Sequence, residues 1–131
     1  MIKKMIMGVG ISLFAITASA ASLTLINNES NQIQVNCNGM SGLPIPAAQG
    51  NDSGKLTLPY FLIAARFDST DVHCTFTDGT GQEGHAEFVI SDYYTMAQIK
   101  SYDPTSGGVI IDPTSALTTP VSDITVTLNK L

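Results

Sequence analysis

The chain reads as an all-β protein: a single antiparallel β-sandwich, Ig-like or jelly-roll-like, of about eight short strands with one disulfide, a small β-barrel being the alternative. Three features of the sequence predict this. Apolar side chains recur at every second position, the period of a half-buried strand. The alternating runs are short and separated by Gly, Pro, Asn, Asp and Ser, the residues of turns. A leader-like N-terminus, finally, directs the two cysteines to an oxidising compartment, where such a pair forms a bridge.

The leader is read in residues 1–20. Lys3 and Lys4 precede an apolar run from Met5 to Ile16, and Ala18-Ser19-Ala20 supplies small residues for cleavage. That is the pattern of a secretory signal peptide. The run is shorter than the about 20 residues of a membrane span and is interrupted by Gly8, Gly10 and Ser12, so no membrane insertion is expected after cleavage. No cysteine stands at the cleavage point to carry a lipid. Export to a periplasm or the extracellular space is therefore expected, with residues 21–131 as one β-sandwich domain.

The first strands are expected around Leu23 and Leu25 and, after the turn-like NNESN, around Ile33, Val35 and Cys37. Residues 38–54, NGMSGLPIPAAQGNDSG, read as a long surface loop. KLTL (55–58) and FLIAARF (61–67) read as two strands broken at Pro59, which cannot donate to a ladder. VHCTFT (72–77) and HAEFVI (85–90) alternate cleanly, followed by YYTMAQIKSY (93–102), VIID (109–112) and DITVTL (123–128). The Pro-, Thr- and Ser-rich stretch 104–120 reads as extended loop, and no segment shows a helical stripe. A Cys37–Cys74 bridge would close 37 residues and contribute roughly 3–4 kcal/mol.

Both histidines lie in DVHCTFTDGTGQEGHAEFVISDYY (71–94), where a metal or catalytic site competes with a plain hairpin. Pairing Phe76 with Ala86, Cys74 with Phe88 and Val72 with Ile90 turns every apolar side chain inward, with 78–84 as the loop. His73 and His85 then share the outer face, four residues and about 13 Å apart. That is too far for one metal ion, since Zn–N bonds span only about 2.0–2.1 Å. His73, His85, Asp78 and Glu83 remain weak metal candidates, because DGTGQE (78–83) only partly matches a calcium loop. Asp68, Asp71 and Asp92 read as solvated loop carboxylates of an acidic protein.

Removing Lys3 and Lys4 from the six basic residues leaves four against eleven acidic ones, a net charge of −7. Such a surface lacks the basic stripe that nucleic acids require. No GxSxG, CxxC or P-loop occurs in the sequence, and the GTGQEG run (79–84) is read as part of the hairpin loop, so no enzyme activity and no cofactor is expected. The expectation is a non-enzymatic binding module whose surface meets a protein or glycan partner through Tyr60, Tyr93, Tyr94 and Tyr102. Two alternatives stand beside it. One is a fibre subunit exchanging Leu23–Ile26 or Ile124–Leu128 by strand addition; the other is a periplasmic metal protein or small hydrolase using His73 or His85 with nearby carboxylates.

Overall fold

The protein was analysed as a computed structural model that describes residues 20–81, 83–91, 93–103 and 108–130. The leader read in 1–20 lies outside them apart from Ala20, as does Asp92. Nine strands are described: β1 (Ser22–Asn27), β2 (Ile33–Cys37), β3 (Met40–Ile45), β4 (Gly54–Pro59), β5 (Asp71–Thr77), β6 (Glu83–Ile90), β7 (Ala97–Asp103), β8 (Gly108–Asp112) and β9 (Ile124–Lys130). One helix, α1 (Tyr60–Phe67), joins β4 to β5, and a 3-10 turn (Thr114–Leu117) follows β8. The strands form a four-stranded sheet, β4-β1-β9-β8, and a five-stranded sheet, β3-β2-β5-β6-β7. The predicted all-β sandwich is what the chain forms.

The odd–even pattern becomes the core. Leu23, Leu25, Ile124, Val126 and Leu128 from the first sheet are buried with Ile33, Val35, Cys37, Val72, Cys74, Phe76 and Phe88 from the second. Asn27 continues the inward row of β1 and is fully buried. Its amide donates to the carbonyls of Asn31 (2.8 Å) and Pro46 (3.0 Å), and its Oδ1 accepts from the Glu29 N–H (2.8 Å). A buried polar group is tolerated because it is satisfied, and here it ties the β1–β2 turn to the chain leaving β3.

Cys37 and Cys74 are bonded, as expected, and lie directly opposite each other on neighbouring strands β2 and β5 of one sheet. Antiparallel order is broken at one place. β1 and β9 run parallel, Leu23 beside Ile124 and Leu25 beside Val126, so the first sheet is mixed. The in-phase apolar rows of the two terminal strands make that pairing compatible with one common core face. Both strands offered for exchange between protomers are therefore interior ones, flanked on both sides.

Three local expectations are corrected. FLIAARF is not a strand: residues 60–67 are helical, and Tyr60, Ile63, Ala64 and Phe67, at i, i+3, i+4 and i+7, are the buried set. Pro59 sits at the start of that helix, where its missing N–H costs nothing. Asp68 ends it in the left-handed conformation at φ 52°. Next, residues 38–54 are not all loop, because β2 turns straight into β3 through Asn38-Gly39. Both residues have positive φ, 52° and 76°, as a tight two-residue hairpin demands.

The third correction concerns the β5–β6 register. Phe76 faces Gly84, Cys74 faces Ala86 and Val72 faces Phe88, a shift of two residues from the expected pairing. A shift of two leaves every side chain on its expected face, so burial does not choose between the registers. The shorter turn decides it. Asp78 Oδ1 accepts from the Thr80 N–H (2.9 Å) and hydroxyl (2.6 Å), closing an Asx turn, and Gly79 and Gly81 supply φ of 84° and 94°.

The two open sides of the sandwich are closed differently. Beside β7 and β8 the 3-10 turn buries Ala116, and Ala97 and Val121 exchange backbone hydrogen bonds of 2.9 Å. On the opposite side α1 crosses from β4 of one sheet toward β5 of the other. Replacing both Cys37 and Cys74 by Ala is expected to lower unfolding free energy by roughly 3–4 kcal/mol, and Asn27→Ala by about 2–3 kcal/mol through the backbone groups it strands. Urea unfolding followed by circular dichroism measures both.

Candidate functional site

The side spanned by α1 is incompletely filled. A partly open cavity of about 500 Å³ lies between the sheets, lined by Leu23, Leu25, Leu56 and Leu58 of the first sheet and by Val35, Leu43 and Phe76 of the second. The helix contributes Leu62, Ile63, Ala65, Arg66 and Phe67 to its wall, and the Cys37–Cys74 bridge lies against it. Alternation explains the lining, since each of these strand residues is on the inward row of its strand. The half-burial of Leu56 and Leu58 follows from β4 being an edge strand that the helix covers only in part. Phe61, 38% exposed, leaves apolar surface on the outer side of the helix, and Leu62, 47% exposed, does so at the cavity wall.

Arg66 is the one charged residue in the lining. It is the only arginine of the whole sequence, is exposed, and its guanidinium donates to the Ser41 carbonyl on β3 at 3.3 Å. Among the described residues it pairs with no carboxylate. Sequence reading missed this site entirely. Inward rows can be read from a pattern, but the distance between two sheets at an edge cannot.

The outer face of the five-stranded sheet holds the polar cluster. His73 lies directly opposite Glu87, and His85 opposite Thr75. The histidines are thus diagonal neighbours two residues apart along the ladder, not four. His73 Nε2 is 3.4 Å from Asp71 Oδ1 and 3.5 Å from Glu87 Oε2, whereas His85 Nε2 is 3.0 Å from Glu83 Oε1. The four weak metal candidates are not brought together as a set. Among the described residues the group that converges is Asp71, His73 and Glu87, each offering one ligand atom within 4.8 Å of the others. One imidazole and two carboxylates can ligate a divalent ion with positions left open. Exposed groups of this kind equally form plain ion pairs worth at most about 1 kcal/mol.

Asp78 is committed elsewhere. The Thr80 hydroxyl, helped by the Thr80 N–H, holds its carboxyl below the usual carboxylate range against the opposing effect of burial. The four tyrosines do not form one surface either. Tyr60 is fully buried, its hydroxyl has no hydrogen-bond partner among the described residues, and burial, with Asp123 nearby, pushes its ionisation upward. It cannot contact a partner, because it anchors α1 in the core. Tyr93, 86% exposed, and Tyr94, at φ 58°, occupy the β6–β7 turn, whereas Tyr102 lies toward the far end of β7 beside the His85–Glu87 face.

No family model, no curated protein and no solved structure matches this chain. The site therefore rests on its own geometry.

A depressed folded-state carboxyl stabilises the fold fully above its unfolded value, about 3.9 for Asp, and that contribution is lost as pH falls through the folded-state value. Asp78→Asn keeps an acceptor for Thr80 but removes the titration. The stability difference between wild type and Asp78→Asn is expected to be constant from pH 7 to 5 and to shift in favour of the variant below about pH 4. Urea midpoints across that range measure it.

Proposed function

We propose that the mature chain is an exported, non-enzymatic binding module that holds one apolar small molecule between its two sheets. The observation that carries this reading is the cavity beneath α1. Its volume of about 500 Å³ falls within the roughly 300–1,000 Å³ of small-molecule sites, and such sites are mostly apolar with few polar groups. A domain of this size gains stability by filling its core, so an apolar space left open between its sheets runs against the packing logic of the rest of the molecule. The lining offers no nucleophile and no acid–base pair, which favours binding over chemistry at that place.

Export is supported by the leader in residues 1–20 and by the Cys37–Cys74 bond, which persists in oxidising compartments. Among the described residues no helix is long and apolar enough to cross a membrane. The reading moves the binding element from the tyrosines to the intersheet space, and the ligand from a macromolecular surface to a small apolar body.

The test is titration of the oxidised mature protein with primary alcohols of increasing chain length. Affinity is expected to rise about fourfold per methylene, from ~0.8 kcal/mol each, until the cavity is full. Ala65→Trp, which places an indole on the exposed helix position at the cavity wall, is expected to abolish binding while changing stability by less than about 0.5 kcal/mol. Absence of saturable binding, or binding indifferent to Ala65→Trp, would falsify the reading.

A further inference from the structure

We propose that the ligand is a single-chain alkyl carboxylate, its tail between the sheets and its head on the Arg66 guanidinium. This inference rests on the cavity reading and adds the chemistry of the head group. The argument is one of charge placement. The sequence carries a net charge of −5, more negative once the leader is removed, so an anion is repelled by most of the surface. Arg66 is the exception that coincides with the cavity: the other residues of the lining are uncharged. Lys55, the nearest lysine in sequence, stands on β4 in alternation with the inward Leu56 and Leu58, and so belongs to the outer face.

Arg66 is also chemically available. Asp68 lies two residues on, at the end of α1, yet no ion pair between them is formed, and the guanidinium's hydrogen bond is a long one to a neutral carbonyl. A guanidinium presents five N–H donors in a planar fork that matches a carboxylate with two parallel bonds. An arginine can lay its aliphatic stem along apolar surface while its head stays in water. A ligand entering tail-first would thus bury its chain against leucines from both sheets and leave its charged end at the solvent, where desolvation costs least. Neutral apolar ligands can use the cavity but not the fork.

The experiment compares dodecanoate with dodecanol, equal in chain and different in head, on the mature oxidised protein below their aggregation concentrations. Dodecanoate is expected to bind about fivefold more tightly at low salt, an advantage that shrinks as salt rises. Arg66→Gln should remove the advantage by weakening dodecanoate far more than dodecanol, and Arg66→Lys should restore only part of it. If dodecanol binds and dodecanoate does not, or if their ratio survives Arg66→Gln, the head-group assignment falls while the cavity reading stands. If neither binds, both fall. Arg66 is exposed, so these variants are expected to fold, which an unchanged circular dichroism spectrum and urea midpoint would confirm.

Discussion

The direct cross-strand bond between Cys37 and Cys74 is the constraint from which most of the molecule follows. By fixing those two residues opposite each other, it sets the register of β2 against β5 at the centre of the larger sheet. A slip of one residue would put the two strands out of phase, so that either Val35 of β2 or Val72 and Phe76 of β5 would leave the core, with Asp71 and His73 turned inward in the second case. The bridge therefore decides which side of β5 faces the core and which carries the polar cluster. Asn38, immediately after Cys37, reinforces it: its Oδ1 accepts from the His73 N–H at 2.9 Å, and its own N–H donates to the His73 carbonyl at 2.8 Å. Covalent bond, tight turn and side-chain bonds all fix one stretch of backbone.

From that fixed centre the two edges diverge. Toward β7 and β8 the sandwich is closed by small residues, Ala97 and Ala116, which let the 3-10 turn approach closely. Toward β3 and β4 it is bridged by a two-turn helix whose inward stripe, Tyr60, Ile63, Ala64 and Phe67, reaches the core at both ends. A helix is wider than a strand, and its side chains meet the sheets at an angle instead of interdigitating with them. The intersheet space beneath α1 stays open for that reason. Its walls are apolar because they are the inward rows of strands whose pattern was set by the core.

Much of this was legible in the sequence. The period-two rows of Leu23 to Leu25, Val72 to Phe76 and Ile124 to Leu128 are the core, and the cysteine pair is the bridge. The helix was hidden because FLIAARF is apolar on nearly every side, so its 3.6-residue stripe does not stand out against Phe61 and Leu62. Asn38-Gly39, a strong hairpin signal, was masked by the Gly- and Pro-rich residues that follow it. The β5–β6 register was out of reach of burial arguments, because both registers bury the same side chains and the choice lies in the Asp78–Thr80 turn. Tyr60 looked like a surface ring because its neighbour Pro59 suggested a loop. The cavity had no sequence signature at all, since it depends on how far apart two edges are held.

What joins these parts is an intersheet space with a single cation at its wall, built on a covalently fixed sheet. Nuclear magnetic resonance of the methyl groups, on oxidised mature protein with a long-chain alkyl ligand, probes it most directly. The account predicts intermolecular contacts from the alkyl chain to Leu25 and Leu58 of one sheet and to Val35 and Leu43 of the other, all saturating together. Contacts confined to the exposed turn of Tyr93, Tyr94 and Met96, or none to either sheet, would contradict it.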